Sequence, residues 1–280
     1  MNLRFYDAHN HLQDERFGGR QTELLSVAAR EGVAGMVVNG SCETDWPQVL
    51  ELVQGTAAPN TLRIIPSFGY HPWYVHERTT DWLKHLTRFL EQVPSGIGEI
   101  GLDRWKPGLA YEGQEEVFAT QLQLAAERDL PVSIHCLQTW GRMFDLLKAG
   151  PCPARGFLLH SYGGPKEMVK PFAELGAYFS LPGYYAHERK ERQRETFRHV
   201  PPERLLVETD APDQLLPGTR SAKCGVRNVY ALNEPVTNQP LNHPANLAAV
   251  YAFAAELFEE PLETLATRVE QNFLRLFSGL

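Results

Sequence analysis

Eight short apolar runs recur along this chain, near residues 3–9, 35–40, 62–68, 96–102, 131–136, 156–160, 176–181 and 204–209. They restrict its possible folds more than any other feature. Each run is too short for a stable helix and has the length and bounds of a buried strand. Helical patterns lie between them. Over 81–93, Trp82, Leu83, Leu86, Leu90 and Val93 share one stripe, and over 112–128 Phe118, Leu122 and Ala125 do the same. Those spacings belong to core-facing helices. The stretch 189–198 is almost wholly polar and reads as a solvated helix on the rim. Strand and helix alternating eight times predict an α/β fold, a single (β/α)8 barrel of the TIM type covering 1–280. An open doubly wound sheet would instead place a glycine-rich nucleotide loop after its first strand. Leu262, Leu265, Val269, Phe273 and Phe277 predict one extra amphipathic helix at the C-terminal end, packed on the outside.

What terminates the runs is as informative as the runs themselves. The first leads into Asp7-Ala-His9-Asn-His11, and side chains two apart on a strand face the same way. The fourth carries Glu99 and Asp103, the fifth and sixth end in His135 and His160, and the eighth ends in Glu208-Thr-Asp210. In a β/α barrel the ends of several strands converge on one catalytic face. Five strand ends bearing only His, Glu or Asp therefore predict a metal site, because transition-metal sites are built from these side chains.

Six candidates emerge: His9, His11, Glu99, His135, His160 and Asp210. One catalytic metal takes about three protein ligands and keeps a position open. Six ligands suit two divalent ions bridged by a carboxylate, which lower the pKa of bound water and hold both oxygens of a displacement. Histidine-rich ligation favours zinc, manganese or iron over magnesium. Four neutral histidines and two carboxylates would leave two divalent ions with a formal excess of two positive charges. Such a site prefers an anionic substrate.

The formal charge of −7 argues against a broad, nonspecific nucleic-acid surface, although an active site can be locally positive. The four cysteines, Cys42, Cys136, Cys152 and Cys224, are scattered and form no C-x-x-C pair, as expected for reduced thiols in a cytoplasmic protein. On a strand, Cys136 would face away from the metals. No signal-like or membrane-length apolar segment is seen, and nothing calls for an obligate protein partner. The one long irregular stretch, 211–243, includes a part with Arg220, Lys223 and Arg227 and no acidic residue, suited to gripping a phosphate over the metals.

Taken together, D-A-H-N-H-L at the start, G-E-I-G-L-D at 98–103, I-H-C at 134–136, H-S-Y-G-G at 160–164 and E-T-D-A-P at 208–212 resemble the TatD-like metal-dependent deoxyribonucleases. These are a branch of the amidohydrolase-type barrels, and the likeness runs to Asn272-Phe-Leu-Arg-Leu-Phe277. The resemblance implies a two-metal hydrolase of phosphodiester bonds, exonuclease-like and acting on DNA or a short nucleic acid through metal-bound hydroxide. It implies that His9, His11 and Asp210 hold one metal, that His135 and His160 hold the other, and that Glu99 bridges. Asp210 would also orient the attacking water and accept its proton. His71, in Gly69-Tyr-His71-Pro72, would contact a phosphate, while Glu208 and Asp103 would support ligating histidines. Two features depart from the family pattern. Arg104-Trp105 follows G-E-I-G-L-D where an aromatic is usual, and the basic loop is spread out before the last barrel helix. Two other readings stay open: hydrolysis of small esters, lactones or amides on the same metals, and a catalytically silent scaffold.

Overall fold

Strands that are apolar on both faces need cover on both, which a parallel sheet obtains by closing on itself beneath an outer layer of helices. A computed structural model, described over residues 3–55, 62–218 and 227–280, shows this arrangement. The strands are β1 (Phe5–Asn10), β2 (Val33–Asn39), β3 (Arg63–Phe68), β4 (Gly96–Asp103), β5 (Val132–Leu137), β6 (Phe157–Leu159), β7 (Ala177–Pro182) and β8 (Leu205–Glu208). Each pairs in parallel with the next, in sequence order. At the seam between β1 and β8, Asp210 N–H donates to His9 O at 3.0 Å and His11 N–H to Ala211 O at 2.8 Å. The barrel closes, in other words, through the residues that carry the chemistry.

Helices α1 (Gln21–Arg30), α2 (Trp46–Gly55), α3 (Trp82–Gln92), α4 (Gln114–Arg128), α5 (Trp140–Ala149), α6 (Val169–Glu174), α7 (Glu191–Phe197) and α8 (Leu247–Leu257) follow the successive strands. The expected extra helix is α9 (Leu262–Leu276), which buries Leu265, Val269 and Phe273 against β1 and β8. No helix among the described residues is long and apolar enough to cross a membrane.

Three local outcomes differ from the sequence reading. In α3 the stripe narrows to Leu86 and Leu90, and Leu83 is exposed. Helix α7 is not solvated all round, because Arg194, Thr196 and Phe197 are buried. Arg194 Nη1 donates to Tyr185 O at 2.7 Å and His187 O at 2.6 Å, which makes its burial tolerable. The stretch after β8 also contains a short antiparallel hairpin, β9 (Ala231–Asn233) with β10 (Pro240–Asn242).

Buried glutamines of α4 fix the strand ends beneath the catalytic face. Gln121 Oε1 accepts from Tyr70 N at 2.7 Å and its Nε2 donates to Tyr70 O at 3.3 Å. Gln114 treats Asp103 alike, accepting from its N at 2.8 Å and donating to its O at 3.1 Å. Each amide satisfies both backbone groups of one residue where the strand ladder gives out.

Candidate metal centre

Strand alternation brings His9 and His11 to one side, with their Nε2 atoms 3.3 Å apart. Glu99 enters from β4, part-way along the strand and at an irregularity in its pairing with β5. Glycine is required on both sides of it. A Cβ at Gly98 would lie 2.8 Å from Ser133 Cβ, and one at Gly101 would lie 1.9 Å from His135 O. Without those side chains β4 lies close against β5, and the carboxylate reaches the axis of the barrel mouth.

The two oxygens of Glu99 face different histidines. Oε2 lies 3.0 Å from His11 Nε2 and 3.4 Å from His9 Nε2. Oε1 lies 2.8 Å from His160 Nε2, 3.0 Å from His135 Nδ1 and 3.4 Å from His71 Nε2. Asp210 Oδ1 joins the first group, 3.7 Å from His9 Nε2 and 3.8 Å from His11 Nε2. Asp210 adopts φ +52°, a left-handed conformation that aspartate tolerates better than most residues.

The far side of each ring shows how it is oriented. His11 Nδ1 donates to Asn39 O at 2.7 Å, which leaves the lone pair of the neutral ring on Nε2. His135 is turned over: its Nε2 donates to Asp103 Oδ2 at 2.9 Å, so Nδ1 carries the lone pair. His9 Nδ1 lies 2.7 Å from Ser133 Oγ, and His160 Nδ1 lies 3.7 Å from Glu208 Oε1. Glu208 itself accepts from the hydroxyls of Ser161 and Ser180. Lone pairs on His11 and His135 thus point at carboxylate oxygens about one hydrogen bond away. Two acceptors face each other at such range only across a proton or a cation. Glu99 Oε1 is buried with no hydrogen-bond partner, which also fits a ligand to a positive ion. His9, His11 and Glu99 can hold one ion, as can His9, His160 and Asp210, or His71, Glu99 and His135.

His71 differs from the other four rings. Trp73 N–H donates to its Nδ1 at 3.2 Å, so the proton of the neutral ring sits on Nε2, and burial keeps the ring neutral by lowering its pKa to about 4. It presents a donor where His11 and His135 present lone pairs.

Charge in the pocket is strongly coupled. Burial opposes ionisation of Glu99, but His160, His71 and His9 outweigh it and hold the carboxyl well below its usual range. Burial also opposes protonation of His11, but Glu99 and Asp210 lift it to about 9, so that a proton on Nε2 takes the place between these acceptors that a cation would otherwise fill. Burial raises Asp210 to about 7 against the pull of His160.

The structure therefore brings together His9, His11, Glu99, His135, His160 and Asp210, with His71, Asp103 and Glu208 around them. Arg220 and Lys223 lie outside the described residues, and Arg227 is exposed. The Cys136 thiol is paired elsewhere, its Sγ 3.2 Å from Thr139 Oγ1. Sequence reasoning assigned no role to Asp7, Ser133 or Gln214. Asp7 accepts from Thr209 N at 2.9 Å, Thr209 Oγ1 at 2.6 Å, Asn10 Nδ2 at 3.1 Å and His9 N at 3.3 Å, tying the ends of β1 and β8 across the seam. Gln214 Nε2 donates to Asp210 Oδ2 at 2.7 Å and Ser161 Oγ at 2.5 Å. For Asp7 and Ser133 a signal was present: each stands two residues before a candidate metal-ligating histidine, on the same strand face.

The sequence model of TatD-related DNases matches residues 6–278. An Escherichia coli protein named as an uncharacterized metal-dependent hydrolase, YjjV, is 30% identical over 99% of each chain. A Pantoea vagans protein named as the 3′-5′ ssDNA/RNA exonuclease TatD is 30% identical over 97% of this chain and 98% of its own. The crystal structure of the E. coli YjjV protein superposes with a TM-score of 0.85 at 29% identity, covering both chains fully. With this barrel, this cluster and these relatives, the chain belongs to the TatD-related DNase family of metal-dependent hydrolases.

Proposed function

We propose that this hydrolase cleaves phosphodiester bonds in single-stranded nucleic acid, working from an end, with two divalent ions bridged by Glu99. The observation that carries this reading is the division of Glu99: each oxygen faces its own set of imidazoles. His9, His11 and Asp210 would hold one ion and His135 and His160 the other, with zinc, manganese or iron favoured over magnesium by the nitrogen-rich set. The ions would supply a water of lowered pKa and neutralise the charge of the phosphoryl group.

The chain's own residues account for the remainder. Asp210 turns Oδ1 toward the metal-facing nitrogens while Gln214 pins Oδ2, so the carboxylate keeps one fixed edge for the attacking water. That edge lets Asp210 orient the attacking water and accept its proton. His71, neutral with its proton on Nε2, donates to a phosphate oxygen without competing for metal. Asp103 fixes the His135 ring by a hydrogen bond, and Glu208 lies beside His160 Nδ1. The formal excess of two positive charges attracts a phosphodiester into a protein of net charge −7. That acidic charge also favours the second reading, a small-ester hydrolase on the same metals.

The test is digestion of an end-labelled single-stranded DNA oligonucleotide by the manganese- or zinc-loaded protein, beside His9→Ala. Stepwise, metal-dependent shortening that the variant loses is expected. An intact oligonucleotide in the presence of fully loaded wild-type protein would shift the assignment to small esters.

A further inference from the structure

The pair Arg104-Trp105, where the family usually has an aromatic directly after Asp103, is unused by the metal chemistry. Trp105 is 56% exposed, and it is the sole aromatic among the exposed large hydrophobic side chains of the described residues. It is not loosely placed. Asp103 Oδ1 accepts from Trp105 N at 2.6 Å and Lys106 N at 3.1 Å, fixing the turn. Asp103 Oδ2 accepts from Trp73 Nε1 at 2.7 Å and from His135 Nε2. One carboxylate therefore registers the loop against a metal-ligand candidate.

Trp105 stands between two cations in the chain, Arg104 and Lys106. Lys106 Nζ lies 3.8 Å from the centre of the Trp73 ring, and that ring is 5.1 Å from His71 and 6.2 Å from His135, centroid to centroid. The Arg104 guanidinium stacks over Tyr111 at 3.9 Å. Among the described residues, Lys106 has no carboxylate within ion-pair distance, whereas the Arg104 charge helps hold the Glu115 carboxyl low. An exposed flat ring on a loop whose Lys106 ammonium lies over Trp73, next to His71, has the makings of a stacking platform with a phosphate contact.

We infer that Trp105 stacks on an unpaired nucleobase while Lys106 meets the backbone phosphate beside it. This inference rests on the phosphodiesterase reading and specifies its substrate class. Bases in a duplex stack on each other and cannot offer a free face, so the platform selects single strands.

Binding and cleavage are measured separately. Fluorescence anisotropy on the metal-loaded protein uses a labelled single strand with hydrolysis-resistant phosphorothioate linkages, beside an abasic strand of the same length. Trp105→Ala should raise the Kd for the base-bearing strand about tenfold and that for the abasic strand less than about twofold. Trp105→Phe should recover most of the loss, and Lys106→Gln should reduce the slope of log Kd against log salt by about one. Trp105 is exposed, so neither replacement threatens the fold. Equal Kd values for wild type and Trp105→Ala, or equal losses on both strands, would overturn the platform. A wild type that shows the stacking gap but leaves an ordinary phosphodiester strand uncut would uphold the platform and refute the phosphodiesterase.

Discussion

Replacing Asp103 by Asn should cost one metal position and spare the other. Asp103 accepts four hydrogen bonds: Trp105 N and Lys106 N on Oδ1, Trp73 Nε1 and His135 Nε2 on Oδ2. An amide has one oxygen, so either rotamer turns an NH2 group toward two donors. With the oxygen kept on the loop amides, His135 Nε2 meets a donor and its proton moves to Nδ1. That atom lies 3.0 Å from Glu99 Oε1, and the proton there removes the lone pair offered to the ion. With the oxygen turned to His135, the loop amides lose their acceptor and the strand end loosens. Replacing such an outer partner lowers metal affinity by about 10- to 100-fold, or about 1.4–2.8 kcal/mol. Calorimetric titration with zinc should resolve two binding events in the wild type. In Asp103→Asn one should weaken by that factor while the His9–His11–Asp210 event stays within about threefold. Two events weakened alike, or neither, would refute the assignment of His135 to a separate ion.

Gln214→Leu removes the donor to Asp210 Oδ2. Losing a hydrogen bond to a charged group costs about 1.5–3 kcal/mol, so kcat should fall roughly tenfold or more, with metal content unchanged by elemental analysis. Glu43 accepts from Thr79 N at 2.9 Å, Thr79 Oγ1 at 2.8 Å, Tyr70 OH at 3.2 Å and His85 Nδ1 at 2.5 Å. Burial works against its charge, but these donors prevail and hold the carboxyl below its ordinary 4.5. Its contribution is present above pH 4.5 and lost as pH falls through the depressed value, so Glu43→Gln should flatten the acid limb of urea stability and cost about 1–2 kcal/mol near neutrality. Asn272 Nδ2 donates to Pro202 O at 2.8 Å and Leu205 O at 2.9 Å at the entry to β8. Asn272→Leu should cost about 1–3 kcal/mol by urea denaturation, because two carbonyls lose their donor.

The barrel and the residues that converge at its mouth were legible because both rest on short periods. Apolar runs of strand length exposed β1 to β8, and a two-residue spacing put His9 and His11 on one face before any fold was assumed. What stayed illegible depends on closure. Asp7 meets Thr209 across 202 positions, a contact that exists only once β1 lies beside β8. Gln214 follows β8 in an irregular stretch, where no periodicity points to Asp210. Helix α7 misled because its polarity was taken for exposure, whereas Arg194 is buried with its donors met by backbone carbonyls. Strands β9 and β10 have three residues each, too few to display an alternation. His71 was legible as a residue of interest, but its donor role required Trp73 N–H on Nδ1.

The most direct test of the central claim is anomalous-scattering crystallography of the zinc-loaded protein. Two peaks about 3.5–4 Å apart are expected, one among His9, His11 and Asp210, the other between His135 and His160, with one oxygen of Glu99 on each. A single peak at full loading, or an ion bound through His71 Nε2, would contradict the division of Glu99 between two cations.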